Sequence, residues 1–422
     1  MKVLVANDLH GRSSAAGVAV RMAEGLAARG HEVGFLATVQ RASEAGEDMQ
    51  NGVRVRLAAT PAYNLRWRAW RSLDNPAGRA ALARAVDDWR PDVVHVHNLH
   101  IHLSYACLAE ARSRGAKTVL HVHDAMPVCH QKMFCHLDER LVPGDPVRYK
   151  NGPVKCALCV RGRYNPLRNA TIRRVLGRDV DRLVAVSQGM AGLLAMNGIG
   201  PSDVIFNGIP MDVGAASPAR VEALRDRLGL RGRKVVFYGG RLDRLKGGLE
   251  LVHALALVRR RVPSAVLLTV GEALPGFHDE LIELSARLGM PGALIHTGWL
   301  EGDELAASYA LADVVATPSL CFESFGLVNL EAMRAGRPVV ASQWGGPSDV
   351  VADGETGFLV NPAQVPVLAE RLERLLVDPE LARTMGAAGR RRAERLFSLE
   401  TQLDRVEALH RELVTPGREH AA

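Results

Sequence analysis

Short apolar runs alternate along this chain with longer stretches in which apolar residues recur every three or four positions, the pattern of buried strands exchanging with amphipathic helices. The first run is KVLVA at 2–6; the stretch 13–29 then reads as a helix stopped by Gly30, and EVGFLAT at 32–38 reads as a second strand. This opening predicts a parallel, doubly wound sheet whose ligands gather at the carboxyl ends of its strands. Runs at DVVHVH (92–97), AKTVLHVHD (116–124), 182–186 and DVIFNGIP (203–210) continue the first half. A linker rich in glycine, alanine and proline covers 210–218. The alternation restarts with VVFYGG after Lys234 and passes through a helix at 247–260, AVLLTVG, ALIHTGW, DVVAT, PVVAS and GETGFLV. Two α/β domains are therefore expected, 1–205 and 206–398, with a last helix at 399–415.

The 422 residues, 47% of them apolar, suffice to give each domain its own core. No apolar run reaches the roughly 18 residues a membrane-spanning helix needs, and the apolar part of MKVLVAND is too short for a signal peptide, so a cytoplasmic location is expected. The formal charge of +7 is uneven: residues 51–91 hold eight arginines against three aspartates. Inside that stretch, Tyr63 to Leu73 (YNLRWRAWRSL) interleaves Trp67 and Trp70 with Arg66, Arg68 and Arg71. Two readings stand side by side: contact with an anionic membrane surface, at the inner face of the cell membrane, or a surface helix whose tryptophans cover part of the core. No recognised nucleic-acid module accompanies the charge, so no nucleic acid is expected as a partner.

The chemistry concentrates at Thr317 to Glu331, TPSLCFESFGLVNLE. A helix starting near Phe325, opened by Gly326, leaves the backbone N–H groups of Gly326, Leu327 and Val328 turned toward an anion such as a diphosphate. Glu323 and Glu331 flank that position, and because a carboxylate repels phosphate, their expected partners are hydroxyl donors on either side of it. A sugar and a ribose joined by a diphosphate present that pattern. Upstream, FYGGRLDRLKG at 237–247 supplies Arg241 and Lys246; a cation just ahead of a helix opposes its dipole and calls for an anion.

Both segments, together with GGPSDVVADGETGFLV, resemble the retaining GT4 glycosyltransferases, a GT-B family marked by a glutamate, seven residues and a second glutamate. The resemblance implies two Rossmann-like doubly wound parallel-sheet domains facing a central cleft, with the final helix crossing back onto the first domain. It implies a nucleotide diphosphate sugar as donor, a glycan or lipid-linked hydroxyl as acceptor, and no cofactor required for the chemistry. Carried onto this sequence, Arg241 and Lys246 neutralise the leaving diphosphate, Glu323 and Phe325 border the sugar, Glu331 meets the ribose, and Gly298 to Leu300 edge the nucleobase. The His123–Asp124 pair looks like the cleft histidine of the family, near sugar and acceptor. The glycine pair that the family carries at the first helix falls here on Ser13 and Ser14, leaving Gly11 and two hydroxyls to line that loop. Competing activities are glycosylation of a small natural product, epimerisation or phosphorolysis on the same fold, and non-catalytic nucleotide-sugar binding.

Two clusters remain. His95, His97, His121 and His123 fall two by two on one face of adjacent strands, where packing and hydrogen bonding are expected rather than a metal. Cys129, Cys135, Cys156 and Cys159 have the ligand number of a structural zinc site, with reduced thiols as the other reading.

Overall fold

In the computed structural model the described residues are 1–11, 14–130, 150–212 and 216–415, and they form two compact units. The first unit is built on eight strands: β1 (Lys2–Leu9), β2 (Glu32–Val39), β3 (Gly46–Gln50), β4 (Val53–Ala59), β5 (Val93–Val96), β6 (Lys117–Val122), β7 (Arg182–Ala185) and β8 (Asp203–Val204). Their order is β3-β4-β2-β1-β5-β6-β7-β8, parallel throughout except for the antiparallel β3–β4 pair. That hairpin has no counterpart in the apolar pattern. All of β3, GEDMQ, is exposed, so neither face carries the apolar signal by which a strand is read.

The second unit holds β9 (Lys234–Gly239), β10 (Ala265–Val270), β11 (Leu294–His296), β12 (Val314–Thr317), β13 (Val339–Ser342) and β14 (Gly357–Val360), all parallel in the order β11-β10-β9-β12-β13-β14. This is the doubly wound order of a Rossmann sheet, reversing between β9 and β12. Every residue of β10 is buried, as expected of a central parallel strand covered by helices on both faces.

The last helix, Leu399–Val414, is part of the first unit, where Leu403, Val406 and Leu409 join the core around Val3, Val5 and Phe35. It lies against the helix Ser14–Ala28 so closely that a Cβ on Gly25 would stand 2.5 Å from the Leu403 side chain. Arg29 donates to Asp404 at 2.7 Å, and the His31 ring nitrogen stands 2.6 Å from Glu407. Among the described residues no helix is long and apolar enough to cross a membrane.

The segment at 63–73 is not one amphipathic helix. A 3-10 turn at Leu65–Trp67, capped by the Asn64 side chain on the Arg66 N–H at 3.0 Å, leads into a single helical turn at Arg68–Arg71. Leu65, Trp67 and Trp70 are 57%, 52% and 47% exposed. The tryptophans therefore do not cover the core as the second reading of that segment required.

Candidate functional site

The switch point of the second sheet, between β9 and β12, gathers Arg241, Lys246, Glu323, Phe325 and the Gly326 helix start, whereas Gly298 and Leu300 follow the edge strand β11. Asp243, buried after β9, caps a 3-10 turn at Arg244–Lys246 by accepting the Lys246 N–H at 2.9 Å. Its other oxygen accepts from Arg241 Nε at 2.5 Å. One carboxylate thus fixes both basic residues, a role the sequence alone did not single out because a capping aspartate carries no motif of its own. Gly247 follows at φ 78°, where a Cβ would lie 2.0 Å from the Pro318 carbonyl oxygen; only glycine lets this turn meet the loop after β12.

On that neighbouring loop, Glu323 receives Lys246 Nζ and the Ser319 hydroxyl, the latter at 3.1 Å. Burial is the largest single influence on Lys246 and lowers its pKa, but the Glu323 carboxylate, Cys321 and Asp243 together hold the ammonium above its ordinary value. The Glu323 main chain is fixed as well. Its carbonyl accepts the Gly346 N–H at 2.8 Å, and a Cβ on Gly345 would approach that same oxygen to 2.2 Å. The GG pair at 345–346 is thereby explained: two side-chain-free residues let the chain after β13 lie against the Glu323 loop.

Gly326, at φ 92°, is the cap of the helix Leu327–Arg334, and the first intrahelical bonds run from Asn329 and Leu330 N–H to its carbonyl. The N–H groups of Leu327 and Val328 precede those bonds, so the helix opens with the donors an anion requires. Phe325 is buried just before the cap. Glu331, one turn in, accepts from the Tyr309 hydroxyl at 2.6 Å. Burial pushes the Tyr309 pKa well up, and the Glu331 charge adds to it, so the phenol stays a donor. Asn329, buried on the same helix, accepts from Thr317 at 2.6 Å while its Nδ2 has no hydrogen-bond partner among the described residues. Tyr309 and Asn329 carry no motif, and they became legible only once the strands were placed. Gly298 and Leu300 follow β11, where the Gly298 carbonyl accepts the Gly271 N–H at 2.9 Å; Trp299 between them is 54% exposed.

In the first unit, Asp8 at the end of β1 is buried and accepts four backbone N–H groups, those of His100, Ile101, His102 and Leu103, at 2.7–2.9 Å. That carboxylate, which the sequence did not single out, shapes the loop after β5. His123 follows β6, its Nε2 2.7 Å from His97 Nδ1. Burial pushes its pKa down to about 4, against the opposing pull of Asp124, so the ring is neutral near pH 7. Asp124 accepts the Met126 N–H at 2.9 Å and lies 3.3 Å from His100 Nε2. Gly11 ends the described part of the first loop; Ser13 and the Ser14 side chain lie outside the described residues. Of the four cysteines, Cys135 also lies outside them, and Cys129, Cys156 and Cys159 are half-buried. Among the described residues the cluster with metal-ligand proximity is His95, His97 and His121, not the cysteines.

Two family models match the chain in tandem: the Glycosyltransferase Family 4 model over 15–213 and the Glycosyl transferases group 1 model over 221–392. Among curated proteins, the GDP-mannose-dependent alpha-(1-6)-phosphatidylinositol monomannoside mannosyltransferase of Mycolicibacterium smegmatis is 35% identical over 234 residues, 53% of this chain and 60% of that protein. A D-inositol 3-phosphate glycosyltransferase of Segniliparus rotundus is 38% identical over 258 residues, 60% of this chain and 57% of the relative. The chain thus spans somewhat more than half the length of these relatives. Among solved structures, sucrose-phosphate synthase of Thermosynechococcus elongatus superposes with a TM-score of 0.78 at 22% identity, covering 98% of this chain and 99% of that one. HepE of Anabaena, solved with UDP and glucose, superposes with a TM-score of 0.72 at 22% identity over 97% and 99% of the two chains.

Proposed function

Since the chain belongs to the GT4-type glycosyltransferases and has their GT-B fold, we propose that it transfers a sugar from a nucleoside diphosphate sugar to a hydroxyl acceptor with retention of anomeric configuration. The observation that carries this is the meeting of Lys246, Glu323 and the Gly326 helix start at the strand-order reversal. A diphosphate seated on the Leu327 and Val328 N–H groups lies within reach of a base that is already charged. In this reading the donor competes with Glu323 for Lys246. As the ammonium turns to phosphate, Glu323 is released to accept from the sugar hydroxyls. Glu331, oriented by Tyr309, accepts from the ribose, and Gly298 to Leu300 border the base.

Negative charge builds on the diphosphate as the glycosidic bond lengthens. Fixed positive groups there lower the barrier because they need no reorganisation when the charge appears. Arg241 and Lys246 supply them, both anchored by Asp243. No side chain is assigned as a covalent nucleophile; the acceptor attacks from the face the diphosphate leaves, and a departing phosphate oxygen takes its proton. His123, neutral and held by His97, hydrogen-bonds the sugar or acceptor rather than carrying charge to it. Gly11 and Asp124 line the acceptor side.

The acceptor we favour is a lipid-linked or cell-envelope saccharide precursor. A mannosyltransferase relative is named for phosphatidylinositol monomannoside, and the exposed Trp67 and Trp70 among arginines suit an anionic bilayer at the cytoplasmic face. The test is a screen of purified protein against GDP-, UDP- and ADP-sugars by thermal shift, then transfer to membrane extracts with the anomer assigned by NMR. Binding of one donor and transfer with retention support the reading; no response to any donor, or inversion, rejects it.

A further inference from the structure

Five histidines meet in the core of the first unit: His95, His97, His121, His123 and, from the last helix, His410, none more than 7% exposed. Their rings pack 4.7–5.5 Å apart between centroids. Two hydrogen bonds join them, His95 Nδ1 to His410 Nε2 at 2.9 Å and His97 Nδ1 to His123 Nε2 at 2.7 Å. The opposite nitrogens, Nε2 of His95 and Nε2 of His97, have no hydrogen-bond partner among the described residues; one ring nitrogen of His121 meets the Ile205 main chain, and the other has none.

Leaving a buried polar atom unpaired costs on the order of 1–3 kcal/mol, so three side by side point to something they were shaped to hold. If His95 and His97 each donate from Nδ1, their Nε2 atoms are bare lone pairs, and so is one nitrogen of His121. Three acceptors then lie side by side on stacked rings, and a water molecule, with two hydrogens, cannot satisfy all three. A metal cation can.

We propose that His95, His97 and His121 form a buried site for a divalent transition metal, with zinc as the expected ion. One ligand atom from each of the three lies within 4.8 Å of the others; tetrahedral coordination at the usual zinc–imidazole distance needs roughly 3.3 Å, a shift of up to about 0.9 Å by each ligand atom together with a tilt of the stacked rings toward the ion. Alternate residues on β5 place His95 and His97 on one face, and His121 comes from the adjacent β6, paired beside it. The remaining shell has the form metal ligands require, because the far nitrogen of each strand β5 histidine is held by a second imidazole. Beyond those partners stand carboxylates that offset the added charge: Asp124 acts on His123, and Glu407 on His410. All three ligands are neutral near pH 7, since burial holds their pKa values well below the ordinary one. The site is sealed, so the ion enters as the chain folds, and it ties the β5–β6 core to the final helix through His410.

The test is to refold the full chain with Co²⁺ or Zn²⁺, remove loose metal on a chelating resin, and measure metal per chain. The expected result is one equivalent, with a visible cobalt band of tetrahedral type and no thiolate charge-transfer band. His121→Asn should reduce retained metal at least tenfold, whereas Cys156→Ser with Cys159→Ser should leave it unchanged. No retained metal in wild type, a thiolate band, or loss in the cysteine variant only would overturn the site. Should His121→Asn not refold, the wild-type stoichiometry and spectrum still decide.

Discussion

Lys246 and Glu323 stand 77 residues apart in the chain and form an ion pair at the point where the second sheet reverses its strand order. Both are mostly buried, with side chains 19% and 23% exposed. A like pair on the surface would matter little to stability or function. Here the surroundings constrain it: Asp243 fixes the Lys246 main chain and Gly346 fixes that of Glu323.

Lys246→Ala should lower kcat/KM for transfer at least ~10-fold, because the leaving diphosphate loses its nearest point charge. Glu323→Gln should lower it similarly while leaving the fold intact, since glutamine keeps the shape and still accepts from Ser319. The measurement is steady-state transfer beside thermal denaturation. Wild-type rates in both variants would remove the donor assignment.

Tyr309 and Glu331 give a separate handle on the nucleoside. Glu331 should discriminate in favour of the ribose hydroxyls, so a 2′-deoxyribose donor should bind wild type more weakly by ~1 kcal/mol, about fivefold. Glu331→Ala should erase that difference, and Tyr309→Phe should reduce it by freeing the carboxylate to turn away. Equal discrimination in wild type and Glu331→Ala, read from donor KM values, would place the ribose elsewhere.

Trp67 and Trp70 are exposed on a turn rather than buried under a helix. Replacing both with alanine should therefore leave thermal stability within about 0.5 kcal/mol of wild type and weaken binding to phosphatidylglycerol vesicles severalfold. Wild-type attachment should fall as salt rises, because its basic residues are screened. Unchanged vesicle binding by the variant in a sedimentation assay would rule this segment out as the membrane contact.

His130 is buried, with its pKa pushed down to about 4, chiefly by burial and then by the Arg168 charge. The unfolded chain binds its proton near pH 6.5, whereas the folded chain does so only near pH 4. Stability from this residue is therefore complete above pH 6.5 and falls as pH drops toward 4. The slope is at most about 1.4 kcal/mol per pH unit. Denaturant unfolding at pH 7, 6 and 5 should show His130→Phe losing less stability than wild type over that range. Parallel losses would mean that His130 is protonated in the folded state.

The architecture was legible where burial was two-sided. β9, β10, β12 and β13 appear as unbroken apolar runs because helices cover both their faces. The carboxylates of Glu323 and Glu331 were legible because a helix start sits between them. What stayed hidden depends on contacts distant in sequence or on residues with ordinary neighbours. His410 meets His95 across 315 residues, and nothing in ALHRE announces it. Asp8 looks like a loop acid until the four N–H groups of 100–103 are seen to converge on it. The segment around Trp67 misled through composition: arginine and tryptophan fit a helix face, but Asn64 and the turn it caps prevent a long one from forming.

Gly247 and Gly326 both sit at positive φ beside the proposed diphosphate site, yet alanine should affect them differently. At Gly247 a Cβ would press on the Pro318 carbonyl oxygen, a backbone atom anchored by β12, so the turn carrying Lys246 would have to move. Gly247→Ala should therefore destabilise the protein by several kcal/mol, the left-handed strain of about 1–2 kcal/mol being the smaller part, and it should lose donor binding with the fold. At Gly326 the nearest atom is Asn329 Nδ2, 2.7 Å from the added Cβ, on a buried side chain whose oxygen accepts from Thr317. Gly326→Ala should then cost less than Gly247→Ala, the strain plus at most the Thr317 hydrogen bond, since no backbone atom has to move. Its main effect should be a weaker affinity for nucleoside diphosphate, since the new methyl group and the turned amide crowd the helix start. Thermal melts and diphosphate titrations of the two variants distinguish the cases: a Gly326→Ala protein that is stable and binds like wild type would show that the helix start does not hold the phosphates.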